Sequence, residues 1–158
     1  MRLNGPARNR SCMTSSPLAL PSPPLPTHDW SSSYPMTPAS ARLARTHTRR
    51  RLTSWQWQGD IDDALLVVSE LVANAARHGK VAGHHLWLRL ALAEDGGLIV
   101  DVSDPVPEFP GFGTGVWAGV APGEGGRGLL VVRQLSRHVG WFPRHERGKT
   151  VRARLAGP

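Results

Sequence analysis

The chain has 158 residues, of which 40% are hydrophobic and 20% charged, and its formal net charge is +7. That length fits one domain with a hydrophobic core and some additional sequence. No uninterrupted apolar run reaches the roughly 18 residues of a transmembrane helix, so we predict neither a membrane span nor a membrane partner. The single cysteine, Cys12, excludes an internal disulfide. Because prolines interrupt the N-terminal apolar residues, we expect no secretory signal and a cytoplasmic location.

The excess positive charge lies in the N-terminal third of the chain. Residues 1–51 contain eight arginines and one acidic residue, Asp29, whereas residues 52–158 contain 11 basic and 11 acidic side chains. A basic segment can bind polyanions without sequence preference, but no known nucleic-acid-binding motif is present. We therefore predict no specific nucleic-acid partner.

The first 30 residues differ in composition from the rest. They are rich in Pro, Ser, Thr and Arg and contain few large apolar side chains, so they bury too little surface to offset the entropy cost of ordering. We predict that residues 1–30 form a disordered basic tail and that residues 31–156 form the domain. The segment from Trp30 to Pro35 is expected to be an edge strand that ends where proline lacks a donor.

A first helix is predicted to follow this strand. Thr37 is expected to cap it, with Pro38 as its first residue, and the pattern continues to Trp55. Its modest apolar face comprises Ala41, Leu43, Ala44, Thr48 and Leu52. The three consecutive arginines at 49–51 lie near the negative end of the helix dipole. They are either a solvated face or a docking patch for an acidic partner.

A second helix is predicted to contain the segment VVSELVANAARHG, which ends at Gly79. Asp60 is expected to cap its N-terminus, and Gly79 to end it in the C-terminal glycine position, which tolerates a left-handed conformation. The helical spacing of apolar residues defines a core-facing stripe of Ile61, Ala64, Leu65, Val68, Leu71, Val72 and Ala75.

Glu70, Asn74 and His78 are spaced by four residues, so they follow one edge of this stripe. A carboxylate and a carboxamide at the margin of a buried face need hydrogen-bonding partners. They either reach water or belong to a ligand site. His78 has two interpretations, as a residue lining that site or as a structural residue at the helix end.

The next segments alternate apolar and polar residues. We predict strands from His84 to Ala93 and from Leu98 to Ser103, joined by a turn at residues 94–97. Residues 104–127 are rich in proline and glycine. A loop of that length in a compact domain is usually functional, and we interpret it as a lid.

The C-terminal part is predicted to contain a further helix from Gly128 to Val139. A hairpin is expected to follow, with strands from Val139 to Pro143 and from Thr150 to Leu155. This order of elements predicts an α+β fold, a two-layer sandwich in which the helices cover one face of a mostly antiparallel sheet.

Three further features bear on a ligand site. Asp104 follows a strand and precedes Pro105, a common arrangement at turns. The sequence Gly-Gly-Arg-Gly at 125–128 leads into a helix, where backbone amides and the helix N-terminus can approach an anion. Gly148-Lys149-Thr150 opens the last strand. Each has an ordinary structural explanation alone, but together with Glu70 and Asn74 they favour a ligand site.

In this order and spacing, the motifs resemble the GHKL ATP-binding superfamily of gyrase, heat-shock chaperone and histidine-kinase ATPase domains. The closest likeness is to its anti-sigma-factor serine/threonine kinase branch, of the actinobacterial type. The resemblance extends from about Ser33 to Leu155 and rests on SELVANAARHG, GRGLLVVRQLSRHVGW and GKTVRARL. It implies ATP and Mg²⁺ as cofactors, Asn74 as the Mg²⁺ ligand, and Glu70 as a general base or a residue that orients the nucleophile.

The resemblance also implies that Asp104 accepts a hydrogen bond from the adenine amino group, and that Thr150 supports the adenine site. A carboxylate opposite an amine favours adenine, because guanine presents a carbonyl oxygen there. The phosphates would be held by Gly126, Arg127, Gly128 and Leu129. The chain departs from the family at Val106, because the family usually has a glycine two residues after the aspartate.

The resemblance implies a kinase that phosphorylates a serine or threonine of a small antagonist protein and binds a sigma factor. Such proteins can form homodimers. An alternative is a non-catalytic module in which nucleotide only sets a conformation, although a module of that kind would not need Glu70 as a base. A histidine kinase fits less well, because His47 lies in a single predicted helix without a partner helix before the nucleotide-binding motifs.

Overall fold

The computed structural model describes residues 25–107 and 126–158. Its elements, in chain order, are β1 (His28–Pro35), α1 (Ala39–Ser54), α2 (Ile61–His78), β2 (His85–Leu92), β3 (Leu98–Asp104), α3 (Gly126–Leu135), β4 (His138–Pro143) and β5 (Lys149–Leu155). The strands form one antiparallel sheet in the order β1-β2-β3-β5-β4. The α+β fold is therefore as predicted. None of the helices in the described ranges is long and apolar enough to cross a membrane.

The core lies between the helices and one face of the sheet. Because successive residues of a strand face opposite sides, each central strand contributes alternate side chains, all buried: Leu86, Leu88, Leu90 and Leu92, then Leu98, Val100 and Val102, then Val151, Ala153 and Leu155. The other face has polar and charged residues. On that face Asp101 pairs with Arg152 at 2.7 Å and with Arg89 at 3.2 Å.

Strand β1 begins at His28, two residues before the predicted start. Residues 28–30, which we assigned to the tail, therefore belong to the sheet. Residues 1–24 of the predicted tail lie outside the described residues. The Tyr34 hydroxyl is hydrogen-bonded to Nδ1 of His47 at 2.7 Å and thereby links β1 to α1. Burial raises the pKa of Tyr34, so the phenol stays neutral.

Helix α1 differs from its prediction at the N-terminus and on its apolar face. Pro38, not Thr37, occupies the cap position, and no side chain caps the helix. The dihedral angles of Pro38, φ −58° and ψ −30°, are nevertheless helical, as is expected for the first residue of a helix. Leu43 is 46% exposed, whereas Ser40 is buried. The buried residues follow a spacing of four from Ser40, and Leu43 lies off that row.

The arginines of α1 that the sequence singled out contact neighbouring elements. Arg49 pairs with Asp62 of α2 at 2.9 Å, and both side chains are more than half exposed. The guanidinium of Arg51 lies 5.2 Å from the centroid of the Trp30 ring, within cation–π range. At least two of the three arginines therefore interact with other residues of the same domain.

Helix α2 confirms its predicted bounds. The Asp60 carboxylate caps it by accepting a hydrogen bond from the Asp63 amide at 3.0 Å. The predicted stripe is buried except for Ile61, which is partly buried, and two further residues, Val67 and Ala76, join it. Gly79 ends the helix as predicted, but it does not use the left-handed conformation, since its φ is −96°.

The C-terminal elements shift by a few residues. Helix α3 begins at Gly126 and ends at Leu135, four residues before the predicted end. It ends there because the chain from His138 onward is extended and pairs with β5. Most of the predicted lid, residues 108–125, lies outside the described residues.

Candidate functional site

The Glu70 carboxylate of α2 lies against the backbone of Gly128 in α3. A Cβ placed on Gly128 would lie 3.0 Å from Glu70 Cδ and closer still to Oε2. Gly128 is the third residue of α3, where backbone amides have no partner within the helix. The positive end of the α3 dipole therefore faces this carboxylate, which is a favourable position for negative charge.

Asn74 follows Glu70 by one turn of α2 and is partly buried. Its amide nitrogen Nδ2 is shielded from solvent but has no hydrogen-bond partner among the described residues. A buried polar atom without a partner costs about 1–3 kcal/mol. Because rotating the amide exchanges its oxygen and nitrogen, this side chain can offer an oxygen, the ligand type that Mg²⁺ prefers. The residue thus fits the predicted metal-binding role.

At the far end of α2, Asp104 forms a buried ion pair with Lys149. Both residues are 3% exposed, and Lys149 Nζ donates to Asp104 Oδ1 at 3.0 Å. The Val106 amide donates to the same oxygen at 2.9 Å. Lys149 Nζ also donates to the Val106 carbonyl oxygen at 3.0 Å. The carboxylate that is predicted to accept a hydrogen bond from adenine is therefore held in position by Lys149 of β5 and by the Val106 amide.

Two glycines pack closely against Asp104. A Cβ on Gly79 would lie 2.6 Å from Asp104 Oδ1, so glycine is required there by close approach and not by a left-handed turn. Gly148 has a φ of +83°, and a Cβ on it would contact the Asp104 carbonyl oxygen and lie 2.8 Å from Pro105 Cα. The end of α2 and the β4–β5 turn thus both pack closely against Asp104.

The structure does not bring Thr150 to Asp104. In the β3–β5 pairing, Thr150 lies opposite Ser103 and Lys149 lies opposite Asp104. Consecutive residues of a strand face opposite sides, so Thr150 faces the side of the sheet away from the helices, where its hydroxyl is hydrogen-bonded to Ser103 at 2.7 Å. The sequence analysis gave Lys149 no role. Counting back by twos from Val151, a core residue, would have placed its side chain on the core-facing side of β5.

The remaining predicted residues lie in or near the first turn of α3 and at the end of α2. Gly126 begins α3, Arg127 is exposed, and Leu129 packs against the core. Their positions next to Gly128 place them at the Glu70 end of the site. His78 is exposed in the last turn of α2, which suits the structural interpretation at the helix end.

Comparison with known proteins identifies the family of the chain. The family model for the histidine kinase-like ATPase domain matches residues 34–155, so the chain belongs to this family, whose domains bind ATP, generally with Mg²⁺. No curated protein sequence matches the chain significantly.

The chain is similar to several solved structures. The crystal structure of the RsbU and RsbW domains of Rv1364c from Mycobacterium tuberculosis has a TM-score of 0.61 and 22% identity, and the match covers 84% of this chain. The chain spans only 33% of that one. The histidine kinase domain of the blue-light activated kinase EL346 from Erythrobacter litoralis has a TM-score of 0.45 and 20% identity, over 60% of this chain and 43% of that one. The first likeness supports the fold.

Proposed function

We propose that this chain is an ATP-dependent serine/threonine protein kinase of the anti-sigma type, which phosphorylates a small antagonist protein and binds a sigma factor. The observation that supports catalysis best is the shielded Asn74 amide, which has no hydrogen-bond partner among the described residues and lies one turn from a carboxylate that faces a helix N-terminus. Family membership supports ATP as the nucleotide. The choice of protein substrate and of sigma factor rests on the motif resemblance described above.

In this proposal, each residue has one task. Mg-ATP supplies the phosphoryl group. Asn74 would hold Mg²⁺ through its amide oxygen, the α3 N-terminus with Arg127 would face the phosphates, and Asp104 would accept from the adenine amine. Glu70 would take the proton from the substrate hydroxyl. Phosphoryl transfer depends chiefly on positioning and charge neutralisation, so a metal, backbone amides and one base are sufficient.

Replacing Glu70 with glutamine tests the catalytic role. Gln has the same shape but cannot accept the proton, so we expect phosphate transfer to fall about 100-fold or more while ATP affinity changes little. Label transfer from Mg-[γ-³²P]ATP to candidate antagonist proteins measures the first, and calorimetry the second. The control is Glu94→Gln, in the exposed β2–β3 turn. A wild-type protein that binds ATP but transfers no label would support the non-catalytic module, and one that binds no ATP would reject both.

Gly128→Ala displaces Glu70 without removing it. Alanine stabilises a helix interior by about 0.5–1 kcal/mol relative to glycine, and the obstructing atom is the end of a flexible side chain. We therefore expect unfolding stability close to that of wild type but a loss of phosphate transfer, because the methyl group moves the carboxylate. Urea unfolding and the transfer assay measure the two effects. Full activity in a stable Gly128→Ala protein would contradict a catalytic position for Glu70.

A further inference from the structure

We propose that Lys149 is a positioning residue that orients the Asp104 carboxylate and thereby sets the preference for a 6-amino purine over a 6-keto purine. The inference rests on the proposed function, since it assumes that Asp104 faces the base. It adds a specificity-determining residue that the motif resemblance did not include.

The geometry makes Lys149 part of a small buried clip. Its ammonium contacts the Asp104 carboxylate and the Val106 carbonyl, each at 3.0 Å. The Val106 amide N–H donates a hydrogen bond to the same carboxylate oxygen at 2.9 Å. These three hydrogen bonds connect the end of β3, the residue two positions beyond it and the first residue of β5. The clip lies where the chain has Pro105-Val106 and the family usually has a glycine.

The chemistry of the clip leaves one carboxylate oxygen for a ligand. An ammonium and an amide N–H are donors only, and among the described residues both of these donors bind Oδ1. A carboxylate can only accept hydrogen bonds. The oxygen Oδ2 then favours the adenine amine and disfavours the keto oxygen of hypoxanthine or guanine, which is also an acceptor.

A purely structural ion pair predicts a different result. If Lys149 only stabilised the fold, its loss would weaken binding of all nucleotides equally. If it orients Asp104, its loss changes the ratio of affinities. ATP and inosine triphosphate are suitable probes, because they differ only at one edge of the purine: ATP has the 6-amino group beside an acceptor N1, and inosine triphosphate has the 6-keto group beside an N1–H.

The first experiment is Lys149→Met, with both affinities measured by calorimetry. We expect ATP affinity to fall at least about tenfold, as for loss of a hydrogen bond to a charged group, and inosine triphosphate affinity to change by less than about twofold. The control is Arg154→Met, which breaks an exposed ion pair with Asp95 on the same strand and should leave both affinities unchanged. Equal loss for both nucleotides, or no loss, would overturn the proposal.

Because Lys149→Met leaves a buried carboxylate without its cation, a second variant that keeps the hydrogen bonds of the clip gives an independent test. In Asp104→Asn, Lys149 and Val106 would hold the amide oxygen, so the amide nitrogen, a donor, would face the base. We expect the preference to reverse toward inosine triphosphate. Persistent preference for ATP would overturn the proposal. If the wild-type protein binds both nucleotides equally, the proposed role of Lys149 is wrong but the proposed function stands. If the wild-type protein binds neither nucleotide, the proposed function is wrong as well.

Discussion

Gly148→Ala is expected to lower the free energy of unfolding by about 3–5 kcal/mol. Two costs add. A non-glycine residue at a φ of +83° is strained, and the new methyl group would press against the Asp104 carbonyl oxygen and Pro105 Cα. Both obstructing groups are backbone atoms, so neither can rotate away. Urea denaturation followed by circular dichroism measures the loss.

Gly83→Ala is a matched control for this prediction. Gly83 has a similar φ of +74°, but a Cβ added to it would meet no atom within 4 Å. We expect Gly83→Ala to lower the free energy of unfolding only by the cost of the left-handed backbone conformation, about 1–2 kcal/mol. If the two variants lose the same stability, the close packing of Gly148 on Asp104 contributes nothing.

Asp104→Ala is the second large prediction, at about 3–5 kcal/mol of unfolding free energy. The substitution leaves the Lys149 ammonium buried without its carboxylate and removes the acceptor of the Val106 amide. The pair is almost fully shielded from solvent, with side-chain exposures of 4% and 3%, so solvent screening does not reduce this cost. Chemical denaturation of the purified variant measures it.

The double variant Asp104→Ala/Lys149→Met distinguishes loss of a charge partner from loss of packing. When both charges are removed, no buried ion remains uncompensated, so we expect the double variant to be more stable than Asp104→Ala alone. Additive losses would instead indicate that the two side chains do not interact. Asp95→Ala is the control, because it breaks an exposed pair with Arg154 and should cost far less.

Local signals in the sequence predicted most of the fold. The periodicity and cap of α2, and the alternation in β2, β3 and β5, act over a few residues, so the sequence alone locates these elements to within a few positions. Errors arose where neighbouring elements decide the outcome. Leu43 is exposed because none of the elements in residues 25–107 and 126–158 covers that side of α1, and α3 ends early because the residues that follow it pair with β5.

For the candidate site, the sequence determined which kinds of residue are available and the spacing of Glu70 and Asn74 on one helix. Their catalytic and metal-binding roles remain predictions that the experiments above test. Only the tertiary structure decided which residue accompanies Asp104. The β3–β5 register places Lys149, and not Thr150, opposite Asp104, and the close approach of Asp104 explains Gly79. Register and close packing join residues far apart in the chain, so no local pattern could determine them.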